Sequence, residues 1–190
     1  MIGAPAFLVL DLETTGLNPD KDLILEVGAI LVDLDLNEIG RFHSLVNPHA
    51  DERFADAFVQ RMHTATGLWK ELQQLYNEEA IFPGDYETPA VAHRLHTWLL
   101  SHAVYPGGAR PVIAGFSIHF DCDFLRVAMP SVLEALHYRR RDIGQIGAEL
   151  EECGHPRFKP ANMPHRALQD CDSELDCWRA IRRYQKSLLV

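Results

Sequence analysis

Apolar residues gather in short continuous runs over the first quarter of the chain and shift to helical spacing beyond it. Residues 7–12 (FLVLDL) form one such run, closed by the turn formers Thr14, Thr15, Gly16, Asn18 and Pro19, as a central strand would be. Residues 23–32 (LILEVGAILV) continue the β-branched pattern, and residues 40–46 (GRFHSLV) alternate as a third strand does. Short turns between the three predict an antiparallel meander. From about residue 50 to 102 the spacing is helical, broken by a loop near Phe82, Pro83, Gly84 and Asp85. Within that stretch, residues 89–101 place Val91, Leu95, Trp98 and Leu99 on one face of an amphipathic helix. Residues 111–115 (PVIAG) predict a fourth strand, followed by a helix through Phe124, Leu125 and Val127 and another from Pro130 and Ser131. Residues 138–143 carry Arg139, Arg140 and Arg141 and read either as an edge strand or as a solvated charge run. A last helix is expected to start near Pro164, with Leu168, Cys171, Leu175 and Trp178 as its packing stripe. Strands, then helices, then a strand and more helices make an α/β fold around a mixed sheet.

At 190 residues and 47% hydrophobic, the chain can build one well-buried core, and no linker or repeat divides it. One domain over residues 1–190 is expected. The N-terminal MIGAPAFLVL lacks a basic lead and is interrupted by Asp11, so it reads as a buried strand rather than a signal peptide or a membrane span. Cys122, Cys153, Cys171 and Cys177 form no CxxC pair and are expected as buried free thiols of a cytoplasmic protein. The net charge of −9 argues against a protein that grips long nucleic acids through a basic surface. A short anionic substrate held by cations and a few arginines remains compatible with it, because bound Mg²⁺ would offset part of the charge.

The chemistry is carried by acidic residues placed beside apolar runs. Asp11 and Glu13 are two apart, which on a strand gives both side chains one face; an exposed strand-end pair has the same spacing. Asp121 follows the fourth strand and opens a helix, where it is either a metal ligand or an N-cap, and Asp123 is an alternative ligand. His165 and Asp170 would stand about 140° apart on a continuous helix. They can share a site only if His165 comes from the first turn or the loop before it. Carboxylates withdrawn from water need a compensating cation. Asp11, Glu13, Asp121 and Asp170 therefore suggest divalent metal, and His165 suggests a proton acceptor for metal-assisted hydrolysis. His93, His96 and His102 lie along one helix without a ligand partner and are read as structural.

Taken jointly, these motifs resemble the DEDDh branch of the 3′-to-5′ exonucleases, a ribonuclease H-like family. Its Asp-x-Glu at a strand end is matched by Asp11 and Glu13, its Asp before a Phe-Leu pair by Asp121 with Phe124 and Leu125, and its His-x4-Asp by His165 and Asp170. The resemblance implies a ribonuclease H-like mixed sheet flanked by helices. It also implies two Mg²⁺ or Mn²⁺ ions per active site, held by Asp11, Glu13, Asp121 and Asp170, with His165 as general base.

Within that branch, DLETTGLNPDKDLILEVGAILVD, MHTATGL, GFSIHFDCDFLRVAMPSVLEALHYRRRD and HRALQDCDSEL are similar to oligoribonucleases, which degrade very short RNAs to mononucleotides. That similarity implies a homodimer. In it His63 caps the 5′ end of the substrate, together with Tyr138 and Arg139 from the partner subunit. Leu17 and Phe58 would sandwich the bases, and Ser117 would complete the substrate contacts. Thr14, Phe116 and Gly144 stand where the family pattern has Met, Asn and Ser, and residues 76–88 form a longer stretch than the pattern expects. Two other readings stay open: a proofreading-type exonuclease on single-stranded DNA, and a catalytically silent domain that only binds nucleic acid.

Overall fold

The computed structural model describes residues 3–47, 55–79, 84–102 and 110–189. Strands β1 (Pro5–Thr14), β2 (Ile24–Asp33) and β3 (Glu38–Leu45) form the antiparallel meander that the apolar runs predict. Strands β4 (Val112–Gly115) and β5 (His137–Asp142) extend the sheet in parallel on the other side of β1, giving the order β3-β2-β1-β4-β5. β1 is thus central, with a paired neighbour on each side, which is why its sequence reads as a run rather than an alternation. The result is a mixed five-stranded sheet flanked by helices.

Strand parity decides what each face carries. Leu8, Leu10 and Leu12 of β1 join Val27, Ala29 and Leu31 of β2 in the core beneath α3 (Thr88–His102), α4 (His119–Ala128) and the short α5 (Pro130–Glu134). Phe7, Val9, Ile30 and Val32 point the other way, under α6 (Ile143–Glu152) and α7 (Ala167–Ser187). α1 (Ala57–Thr66) and α2 (Leu68–Glu79) close over Leu25 through Val59, Leu68, Trp69 and Leu72. By the same parity Asp11 and Glu13 of β1, and Glu26 and Gly28 of β2, belong to the α7 face. The register sets Asp11 opposite Gly28 and Glu13 opposite Glu26. A Cβ on Gly28 would lie 2.3 Å from the backbone carbonyl carbon of Ala167. Only glycine lets the first turn of α7 rest directly on the strands that carry the acidic pair.

The structure corrects the sequence reading in four places. α7 begins at Ala167 rather than near Pro164, because His165 sits at φ 55° in the left-handed region and Arg166 is extended. α6 has no counterpart in the periodicity, since Gly144 and Gly147 interrupt its pattern. The basic triplet is both things it resembled: β5 is an edge strand, and Arg139, Arg140 and Arg141 are all exposed along it. Charge on an edge blocks further strand pairing. Of the four free cysteines, Cys122, Cys171 and Cys177 are buried, but Cys153 is exposed at the end of α6. Phe82 and Pro83 of the expected loop lie outside the described residues. Among the described residues, no helix is long and apolar enough to cross a membrane.

Candidate active site

The carboxylates anticipated from the motifs form one electrostatic cluster. Asp11 is pushed well above the usual carboxylate range, first by burial and then by repulsion from Asp121, Glu174, Glu13 and Asp170. Glu13 rises to about 8 through burial and the charges of Asp170, Glu26 and Asp121, with Arg166 pulling the other way. Asp121 also reaches about 8, since burial outweighs the backbone N–H groups, its own and that of Leu12, that hydrogen-bond its carboxylate. Asp170 reaches about 6, with burial opposed by the N–H groups of Arg166 and His165. Each shift has one cause in common: buried negative charge without enough positive charge beside it.

Asp121 is not an N-cap. It lies in the first turn of α4 and reaches across to accept a hydrogen bond from the Leu12 N–H at 3.0 Å, tying α4 to β1. Asp123 is half-exposed and paired with Arg126 at 2.7 Å, so it stays out of the cluster. His165 is exposed on the loop before α7, and this loop position removes the angular conflict with Asp170. Ligand atoms of Glu13, His165 and Asp170 all lie within 4.8 Å of one another. Buried oxygens Oδ1 of Asp170 and Oε2 of Glu174 have no protein partner. Raised acids, orphaned oxygens and a tight carboxylate–imidazole group together fit a bound cation.

The substrate residues are distributed differently. Leu17 (79% exposed) lines an open cleft of about 510 Å³ between the turn after β1 and the start of α1. Phe58 (65% exposed) projects from the first turn of α1, whose N-cap Asp56 accepts from the Phe58 and Val59 N–H groups at 2.8 and 2.9 Å. Ser117 is exposed at φ 51° between β4 and α4. His63 is fully buried. Its Nε2 bonds the Thr14 carbonyl at 3.0 Å and its Nδ1 lies 3.8 Å from Glu13, while burial holds its pKa below the ordinary value. Tyr138 and Arg139 are exposed on β5, with the guanidinium 5.7 Å from the Tyr138 ring centre. The sheet register puts them beside the start of β4, whereas Asp11 lies beyond its end, so within one chain they do not join the carboxylates.

Three residues of the site escaped the motif reading. Glu174 is a fifth acid beside the cluster, pushed well above the usual range by burial, with Oε1 accepting the Phe116 N–H at 3.1 Å. Its signal was available, since it follows Asp170 by one helical turn. Glu26 interrupts an otherwise apolar strand and is buried. Arg166 directly follows His165 and bridges Glu26 to Glu71. Nothing local in the sequence marks its partners.

The profile of the exonuclease family (RNase_T) matches residues 8–176. A Corynebacterium diphtheriae protein named oligoribonuclease is 36% identical over 187 residues, covering 95% of this chain and 82% of its own length. The chain belongs to the oligoribonuclease family of exonucleases. A Neisseria meningitidis oligoribonuclease is 28% identical over 183 residues, covering 95% of this chain and 91% of its own length. Among solved structures, the zinc-bound Escherichia coli exonuclease I–single-stranded DNA complex aligns with a TM-score of 0.67 at 16% identity, over 98% of this chain and 42% of that one. Exonuclease I of Methylocaldum szegediense gives 0.66 at 19%, over 96% and 41%. Those proteins share the fold, and this chain spans less than half of their length. As a member of the oligoribonuclease family, the chain is a 3′-to-5′ exonuclease and hydrolyses phosphodiesters.

The raised acids set the pH response of the metal-free enzyme. Glu13, Asp121 and Asp170 hold protons more tightly folded than unfolded. Their contribution to stability is therefore complete below the unfolded values near 4 and is lost as pH rises through about 6 and 8. Glu26 acts oppositely: hydrogen bonds from His43, Arg166 and the Ala167 N–H overcome its burial and hold it at about 2, so its contribution persists throughout that window. In EDTA, Tm should fall by roughly 5 °C or more between pH 5 and 8, and millimolar Mn²⁺ should restore it at pH 8 by binding the folded state. A Tm that is flat or rises over that range in EDTA would remove the basis for a compensated acidic site.

Proposed function

We propose that this exonuclease removes mononucleotides from the 3′ end of very short RNAs, working as a cytoplasmic homodimer with two Mg²⁺ or Mn²⁺ ions. The observation that carries the reading is the cluster of Asp11, Glu13, Asp121 and Asp170 beside His165, in a chain similar along nearly its whole length to proteins named oligoribonuclease. Asp11, Glu13, Asp121 and Asp170 would hold the cations; carboxylate oxygens suit small hard ions. When bound, the ions supply charge stabilisation for the attacking and leaving oxygens of an in-line displacement.

The protein's own residues carry the remaining parts of this reading. His165 takes the proton of the attacking water as the water oxygen bonds to phosphorus. The bond from phosphorus to the 3′ oxygen of the preceding nucleotide breaks and that oxygen takes a proton from solvent, releasing a nucleoside 5′-monophosphate and an RNA one unit shorter. Leu17 and Phe58 offer apolar surface to the last bases, and stacking on an aromatic ring tolerates any sequence. Ser117 contacts the phosphate backbone. His63 supports the site by holding the end of β1 through the Thr14 carbonyl, with its buried Nδ1 turned toward Glu13 at 3.8 Å. Tyr138 and Arg139 act on the neighbouring subunit's substrate, closing over its 5′ end and limiting length.

Turnover of a dinucleotide RNA compared with a long single-stranded DNA tests the substrate class. The reading expects kcat/KM for the dinucleotide to exceed that for the DNA by about a hundredfold. Preference for the DNA would move the enzyme to the proofreading class. Metal binding without turnover of either would leave it a silent binding domain.

A further inference from the structure

We propose that Arg166 is a positioning residue that holds His165 against the carboxylates, and that Glu71 on α2 is its second anchor. The proposal rests on His165 as proton acceptor. His165 itself is exposed, in the left-handed region, on a segment without regular structure between α6 and α7. Such a backbone conformation persists only where neighbours hold it. The residue next to it supplies that hold.

The Arg166 guanidinium is largely buried and makes a two-sided fork. On one side Nε and Nη2 donate to Glu26, with distances of 2.9 to 3.2 Å. On the other side Nη1 and Nη2 donate to Glu71 at 2.8 and 2.7 Å. Glu26 also accepts the Ala167 N–H at 3.1 Å and meets His43 Nε2 at 2.7 Å, so one carboxylate on β2 fixes both residues that follow His165. Glu26 pairs across the sheet with Glu13, whose ligand atom is within 4.8 Å of those of His165 and Asp170. The clamp is therefore built on the strand pair that holds the metal-binding acids.

Glu71 gives the clamp a second attachment. It lies in the first turn of α2, directly after α1, which carries Phe58 and His63. The His63 ring meets Trp69 of α2 edge-on at 5.8 Å and bonds the Thr14 carbonyl at the end of β1. Glu71 therefore ties Arg166 to the helix pair that carries Phe58 and His63. The fork matters more than the charge, because lysine cannot serve two carboxylates in one plane.

Removing the guanidinium altogether would leave Glu26 buried and uncompensated, so milder variants are the ones to measure. Glu71→Gln, at a half-exposed position, should keep Tm within about 2 °C of the parent. It should lower kcat on a dinucleotide RNA about tenfold with KM nearly unchanged. Arg166→Lys should lose on the order of a hundredfold in kcat, the cost of a base displaced by about 1 Å. In a His165→Ala background neither change should lower kcat further, since there is no base left to place. Losses that multiply in that background, or that fall on KM alone, would overturn the clamp as a positioning device. A His165→Ala enzyme with parental kcat would overturn the base assignment and the clamp with it.

Discussion

Asp11→Asn should lower the hydrolysis rate by at least about a thousandfold and make the metal-free protein more stable. Both effects have one origin. The Asp11 carboxylate sits among Asp121, Glu174, Glu13 and Asp170, and their mutual repulsion adds to the cost of burying it. Asparagine keeps the shape and removes one charge from the group. In EDTA at pH 8 the variant should melt about 3 °C or more above the parent, while the gain in Tm from added Mn²⁺ should shrink. Sites that store unfavourable charge for function commonly show this exchange of activity for stability. Thermal melts with and without Mn²⁺, beside single-turnover hydrolysis, check it. Parental turnover in the folded variant would remove Asp11 from the active site, and a lower Tm in EDTA would show that its charge is not repelled.

Gly28→Ala should damage stability and catalysis together. The added methyl would meet three backbone atoms of α7 at 2.3, 2.4 and 2.5 Å, and backbone cannot rotate aside as a side-chain tip can. The first turn of α7 must retreat from the sheet, and Asp170 lies in that turn. Overpacking of this kind costs about 3 kcal/mol, or roughly 9 °C in Tm for a chain of this size. The accompanying displacement of Asp170 should cost on the order of a hundredfold in kcat. Differential scanning calorimetry and kcat on a dinucleotide RNA measure the pair of effects. A variant with parental Tm and rate would mean that α7 does not pack on β2 as closely as described.

The contrast between these two positions shows what the sequence could and could not reveal. Asp11 was legible because it breaks an apolar run and recurs in a motif with Glu13. Gly28 was not, because a glycine in a strand says only that something comes close, not that a helix from 139 residues later does. The meander of β1, β2 and β3 was written in local apolar runs, and so were α3 and the packing stripe of α7. α6 was hidden by Gly144 and Gly147. Gly147 is there because its Cα faces the Phe158 carbonyl, where a Cβ would come within 3.0 Å. The start of α7 was misplaced by three residues, since a proline suited to a helix start also suits the loop before one.

In the candidate site, Asp121 and Asp170 were singled out by motif but the groups around them were not. Glu174 could have been read from its spacing to Asp170. Arg166 could not, because its meaning lies in Glu26 and Glu71, 140 and 95 residues away. The enclosure of His63 by neighbours from β1 and α2 was not legible from the motif either. Non-local partners of this kind are what a linear pattern leaves out.

The most direct test of the central claim is the initial rate on 5′-labelled RNAs of two to ten nucleotides with Mg²⁺. Loss of single nucleotides from the 3′ end is expected, with kcat/KM highest for the dinucleotide and falling with length. A rate independent of length, or products shortened from the 5′ end, would contradict it.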